Sequence, residues 1–189
     1  MSIGFWNDHR LEPKRGFRFI LSIEGGTAGG IQQYLVKQVK KPSWSLGEAT
    51  HQYLNHTFYF PGRVTWAECT FTIVDVVDTQ SNGSKELMEV LEASGYSLPI
   101  SPNNLANISK RKAVEALGSV KIRTIDAEGE PVEEWNLHNA YVSAAEFGEL
   151  SYESDDMLNI SVTMKYDNAW LNVMGPGGGK LPSNAAGAN

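Results

Sequence analysis

Hydrophobic and polar residues alternate most cleanly near the end of the chain. There Leu158, Ile160, Val162, Met164 and Tyr166 take every second position. A strand turns successive side chains to opposite faces, so this run predicts a strand with one buried face. A second run, Thr65 to Asp78, crowds Trp66, Phe71, Ile73, Val74, Val76 and Val77 into strand length. β-Branched and aromatic side chains suit a pleated, half-buried surface. The run follows a shorter strand over Thr57 to Phe60 and a turn at Phe60-Pro61-Gly62-Arg63. It gives way to turn and cap residues from Thr79 to Ser84, and then to a helical pattern. The pattern predicts a strand joining a hairpin to a helix, with the fold organised about it.

The helix is marked by Leu87, Val90, Leu91 and Ser94 on one face, with Ser84 as its cap, Glu86 near its positive end and Gly95 as a left-handed stop. Lys85, Glu89 and Glu92 are left for water. Phe17 to Ile23 alternates loosely and predicts a strand, with Glu24 to Gly30 a flexible hairpin connection and Tyr34 to Lys40 the returning strand. Ser119 to Ile125, a turn over Asp126 to Glu130, and Val132 to Leu137 predict another hairpin. Asn139 to Ser143 and Gly148 to Tyr152 are further strand candidates, whereas Lys110, Arg111 and Lys112 read as a solvated turn. Seven or eight strands and one helix make a mainly β (α+β), antiparallel sandwich-like domain.

Lys41 to His56 shows neither helical nor strand period, yet carries Trp44, Leu46, Tyr53 and Leu54. It predicts a long inter-strand loop whose apolar residues need burial somewhere. Phe5 and Trp6 lie in an N-terminal arm, residues 1–16, outside any periodic pattern. Either they fold back on their own domain or they anchor the arm on another subunit, where aromatic residues are enriched. Residues 17–172 form the domain, and 173–189, rich in Gly, Ala and Asn, predict a mobile tail.

At 189 residues, 41% hydrophobic and 20% charged, the chain suits one ordinary globular domain. Its net charge of -6 argues against a general nucleic-acid binder. No apolar run reaches membrane-spanning length, and the N-terminus lacks the apolar centre of a signal peptide. Cys69 is the only cysteine, which excludes an intrachain disulfide and fits a reducing compartment. Its apolar strand setting predicts a raised thiol pKa and no nucleophilic role.

Catalytic patterns are absent: there is no Gly-x-Ser-x-Gly elbow, and the Gly cluster of EGGTAGG lacks the Gly-Lys-Ser/Thr ending of a phosphate loop. His51 and His56 have no Cys or tight carboxylate cluster beside them, so surface or interface roles are favoured over a metal. Glu149, Glu153, Asp155 and Asp156 surround a turn that matches no Ca²⁺ loop. A solvated acidic turn is the simpler reading; the other is the binding site of a small-ligand β-sandwich.

Ala140-Tyr141-Val142, the run Gly148 to Asp156, and Val162-Thr163-Met164-Lys165-Tyr166-Asp167-Asn168-Ala169-Trp170 resemble the C-terminal signature of tail tube proteins from contractile-tailed, T-even-like bacteriophages. Trp66 leading a Thr/Val/Ile strand that closes at Asp78 before a helix resembles the matching upstream part. The resemblance spans about Phe17 to Leu171. Val142 stands where a proline is expected, and both terminal arms depart from the family.

The resemblance implies a non-enzymatic β-sandwich with one flanking helix and no cofactor. It implies homo-hexameric rings stacked into a tube, a surrounding sheath, and baseplate and tail terminator partners. It also implies assembly in the host cytoplasm into a virion whose lumen passes DNA without specific binding. Tubes of type VI secretion and of extracellular contractile injection systems are similar in fold and deliver effectors instead. On this frame Trp44, Leu46, Tyr53, Leu54, Phe5 and Trp6 are ring-interface residues. Strands Tyr34 to Lys40, Thr57 to Arg63, Ser119 to Ile125 and Val132 to Leu137 form the lumen sheet, carrying Lys37, Lys40, Lys121, Arg123 and Glu134, with Glu133 beside them.

Overall fold

The computed structural model describes residues 12–26, 35–77, 82–97, 107–153 and 155–174. In chain order these form β1 (Phe19–Gly25), β2 (Val36–Val39), β3 (Trp44–Tyr53), β4 (His56–Trp66), β5 (Cys69–Val74), α1 (Gly83–Ala93), α2 (Lys110–Leu117), β6 (Gly118–Ile125), β7 (Pro131–His138), β8 (Tyr141–Glu146), β9 (Asn159–Lys165) and β10 (Asn168–Val173). Two four-stranded antiparallel sheets, ordered β1-β6-β7-β10 and β2-β5-β9-β8, face each other, and β3-β4 stands apart as a two-stranded ribbon.

The core is the two inner faces. On the second sheet Cys69, Phe71 and Ile73 lie opposite Met164, Val162 and Ile160, and all six are almost wholly buried. The period-2 run from Leu158 to Tyr166 is therefore the strand its alternation predicts. On the first sheet Leu21 and Ile23 pair with Ile122 and Val120, and Val120 and Ile122 with Leu137 and Trp135. These residues belong to the same apolar cluster as the first six. Apolar side chains in register across both sheets make burial, worth roughly 25 cal/mol per Å² of apolar area, the dominant favourable term.

Phe17–Ile23 and Tyr34–Lys40 are not a hairpin. β1 pairs with β6, and β2 pairs with β5 in the opposite sheet. The in-register match of Leu21 and Ile23 to the β6 core residues favours that crossing. The long run Thr65 to Asp78 is two strands. β4 ends at Trp66, the chain turns at Ala67 and Glu68, and β5 begins at Cys69. A bond from Ala67 N–H to Ser43 C=O, 2.8 Å, fixes this corner. β10, in which Ala169 alone is well buried, shows no period in the sequence, while Gly148 to Tyr152, a strand candidate, forms no strand. β10 carries the domain to Val173, and Met174 N–H still bonds Val132 C=O.

Among the described residues two helices flank the sandwich, where one was expected. α1 is capped by Asn82, whose side chain accepts from Lys85 N–H. Ser84 is not the cap; its hydroxyl donates to Asp75, which also accepts from Gly83 N–H. Gly83 is a close approach: a Cβ there would lie 2.9 Å from Ile73 Cδ1. Gly95, at φ +104°, is the predicted left-handed stop. The basic run at Lys110 opens α2, capped by Ser109. Only Ala113, Ala116 and Leu117 of α2 are buried, which is why its sequence reads as a turn. α2 packs on α1, on β8 and on β1.

Val162→Asp places an unpaired charge in the middle of this core. It is expected to cost several kcal/mol, enough to unfold an ordinary domain. Far-UV circular dichroism and a thermal melt check this, and a cooperative melt near the wild-type temperature would contradict the face assignment.

Candidate assembly interface

The segment Lys41 to His56, read in the sequence as a loop, is the first strand and turn of a long ribbon. β3 and β4 pair from Trp44↔Trp66 to Tyr53↔His56, with a bulge between Leu46 and Glu48. Its ten-residue first strand spans about 30 Å at ~3.3 Å per residue. Every residue of β3 is exposed. A segment with neither face covered by its own domain needs no inside-outside alternation, so no strand period is visible.

Opposed residues share a face, and this sorts the ribbon's apolar side chains into two patches. Near the base, Trp44 and Leu46 pair with Trp66 and Val64. Trp66 turns inward, its ring 5.9 Å from that of Tyr166. Beyond the bulge, Ala49, His51 and Tyr53 pair with Phe60, Phe58 and His56, making an aromatic face. His56 meets Phe58 edge-on at 4.6 Å. His51 lies opposite Phe58 in the register, and the described residues contain no group of three metal-ligating side chains.

At the tip, Leu54 is 88% exposed and holds φ at +52°, an unusual conformation for a residue with a Cβ. Trp44, Leu46, Tyr53 and Leu54, the expected interface residues, thus share one ribbon with Phe58 and Phe60 of an expected lumen strand. Phe5 and Trp6 lie outside the described residues.

The base of the ribbon is tied to the sandwich by a buried acid. Glu133 points inward from β7 and is 6% exposed. It accepts from Lys41 Nζ at 2.7 Å and Trp135 Nε1 at 2.6 Å, and also from Lys14 Nζ. One carboxylate thus holds the N-terminal segment, the entry to β3 and the first sheet. Burial pushes its pKa up, but the hydrogen bonds from Lys14, Lys41 and Trp135, with the Lys41 charge, outweigh burial and hold it at about 2. Away from the ribbon, Asp167 in the β9–β10 turn joins α2 to the β7–β8 turn: its oxygens both accept from Lys110 Nζ at 2.7 Å and one from Asn139. The bonds from Lys110 and Asn139 lower its pKa.

The four strands expected to line a lumen do not form one sheet. Thr57 to Arg63 belongs to the ribbon, and Lys37 and Lys40 belong with β2 in the second sheet. Lys121, Arg123 and Glu134 do share the outer face of β1-β6-β7-β10. Arg123 Nε donates to Glu134 Oε2 at 2.7 Å, and Asn136 donates to Oε1 at 3.0 Å. Burial raises the Glu134 pKa, but bonds from Arg123 and Asn136 and the Arg123 charge bring it below the ordinary value. The pair cancels, leaving an amide-rich surface that includes Asn172 and a stacked His138–Trp170 pair. Cys69 Sγ donates to Lys40 C=O, and burial pushes the thiol to about 12, which excludes it as a nucleophile.

No family model matches this chain, and no curated protein matches it in sequence. Several solved structures share its fold. A chain of the 6-fold symmetrised anti-feeding prophage baseplate superposes with TM-score 0.62 at 15% identity, over 85% of this chain and 96% of that one. For the sheath/tube terminator of the PVC extracellular contractile injection system the TM-score is 0.62 at 18% identity, over 86% and 99%. For the sheath-tube complex of the same system it is 0.58 at 19% identity, over 86% and 93%. The chain therefore has the fold found in components of contractile injection systems, as its resemblance to tail tube proteins leads one to expect.

The Glu133 tie gives a pH dependence. Its folded pKa of about 2 lies below the ordinary 4.5, so its contribution is fully present above the ordinary value and is lost as pH falls through the folded one. Denaturant midpoints of the wild type are expected to fall more steeply than those of Glu133→Gln between about pH 5 and pH 2. Parallel slopes would count against the tie.

Proposed function

We propose that this protein is a non-enzymatic structural subunit of the tube of a contractile phage tail, assembling as hexameric rings that stack along one axis. The observation that carries the proposal is the ribbon β3-β4. It projects aromatic and aliphatic side chains into solvent from a fold found in contractile injection systems. A two-stranded ribbon alone is marginally stable in water, and a contiguous apolar surface on a soluble chain marks an interaction site. A neighbouring copy completes both, burying Trp44, Leu46, Tyr53, Leu54, Phe58 and Phe60 only in the polymer. A sheath, a baseplate and a terminator are its other partners.

In this reading the outer face of β1-β6-β7-β10 lines the channel. The Arg123–Glu134 pair and the flanking amides suit a passage that must not hold its cargo, because each phosphate contact to a free cation resists sliding. On this face Lys121 is in no ion pair among the described residues. DNA is the cargo in a phage tail. A second reading, a tube that delivers effectors from an extracellular contractile injection system, draws on the source of the solved structures that share the fold. A negative-stain image of purified protein tests the common core: stacked rings with an axial hole are expected, and monomers at all concentrations would refute it.

Replacing Phe58 and Phe60 together with Ser removes the apolar centre of the distal face and touches no core residue. The variant is expected to match the wild type in circular dichroism and in melting temperature to within a few degrees. Pelleting and electron microscopy are expected to show no tubes. Unfolding of the variant would place these residues in the domain's own core.

A further inference from the structure

Between the N-terminal segment, β1 and β2 opens a cleft of about 760 Å³. Its rim is formed by Lys14, Arg15, Arg18, Lys37 and Lys41, and no acidic residue lines it. In a chain of net charge -6 this is an unusual concentration of cations. Internal pairing leaves part of that charge unmet. Lys14 and Lys41 share the single carboxylate of Glu133, and Arg18 pairs with Glu12. Among the described residues no carboxylate pairs with Arg15 or Lys37. The floor is apolar, with Phe19, Val36, Val39 and Ile122. It also holds Thr124, 4% exposed, whose Oγ1 has no hydrogen-bond partner. Cationic rim, apolar floor and an unmatched buried hydroxyl together fit an acidic peptide that also carries apolar side chains.

The chain itself contains such a peptide. The loop between β8 and β9 carries Glu149, Glu153, Asp155 and Asp156, and it exposes Leu150, Tyr152 and Met157. Within one protomer, Glu149, Glu153 and Asp155 form no ion pair with the cleft. We propose that the cleft of one copy receives the acidic β8–β9 loop of a second copy. Donor and acceptor are different surfaces of the same molecule, so the contact can run head to tail from copy to copy, giving a ring where the rotation between neighbours closes. Charge complementarity sets the register of approach, while the loop's apolar side chains meet the apolar floor. This inference rests on the assembly proposed above and adds the contact that joins neighbours within it.

The test exchanges the charges in the full-length chain. One variant carries Arg15→Glu and Lys37→Glu in the cleft, a second carries Glu149→Lys, Glu153→Lys and Asp155→Lys in the loop, and a third combines all five. Each is checked by circular dichroism and thermal melt, then by sedimentation and electron microscopy. The wild type is expected to form rings, the first two variants to remain folded and lose them, and the combined variant to recover them. Rings from the cleft variant, or a folded combined variant without rings, overturn the contact while leaving the assembly standing. A wild type that never forms rings overturns both. Binding of double-stranded DNA by the wild type, lost in a cleft variant that still forms rings, would make the cleft a nucleic-acid site and also overturn the proposal.

Discussion

A two-stranded ribbon with apolar residues on both faces cannot be satisfied by the protomer that makes it. The sandwich completes its own burial with the inner faces of two sheets, Leu87 of α1 and Leu117 of α2, and of the ribbon it draws in Trp66 at the base. The ribbon's own hydrogen bonds hold its shape, yet about half the surface of Trp44, Leu46, Phe58 and Phe60 stays open. In the proposed assembly a neighbouring copy would cover that remainder, and the groups at the ribbon's base would aim it.

Aiming requires a stiff base. Pro42 is buried just before β3, Trp66 packs against Tyr166 at the end of β4, and Lys41 reaches Glu133 between them. The corner bond from Ala67 to Ser43 joins the two strands where they leave the sandwich. Glu133 is the most exacting of these groups. A buried carboxylate that lost one partner would leave a charge without enough compensation, which is more costly than never having had the pair. The same carboxylate also holds Lys14, so the N-terminal segment and the ribbon share one anchor. Movement of either disturbs the other through that group.

What the sequence made visible follows from which forces are written locally. Burial of one face leaves a period of two, so β6 and β9 could be read directly and Val120, Ile122, Ile160, Val162 and Met164 assigned to the core. Gly95 was legible because a positive φ selects glycine. Pairing order was not legible: β1 and β2 are separated by a glycine-rich link that reads as a hairpin, while the register of Leu21 and Ile23 with β6 is a tertiary fact. The ribbon misled for a different reason. Its large apolar residues were expected to be buried and stand exposed; a strand with neither face covered by its own domain carries no inside-outside alternation. The lumen set split for a related reason: Lys37 and Lys121 look equivalent in sequence, and only the sheet order separates them. Glu133, set in a run of two glutamates, gave no sign that one turns inward and the other outward until the pleat was known.

The distribution of charge then constrains how copies can meet. A net charge of -6 spread evenly would oppose every contact between identical chains. Here the charge is sorted instead. Cations gather at the cleft beside β1 and β2, acids gather in the loop after β8, and the Arg123–Glu134 pair leaves the outer face of the first sheet close to neutral. Sorting of this kind favours approach of unlike patches and disfavours approach of like ones, so in the proposed contact cleft meets loop. The ribbon supplies apolar area without strong orientation, and the charges supply orientation with little area. In the proposed assembly the two act together: the ribbon would add burial, and the sorted charges would choose which faces meet.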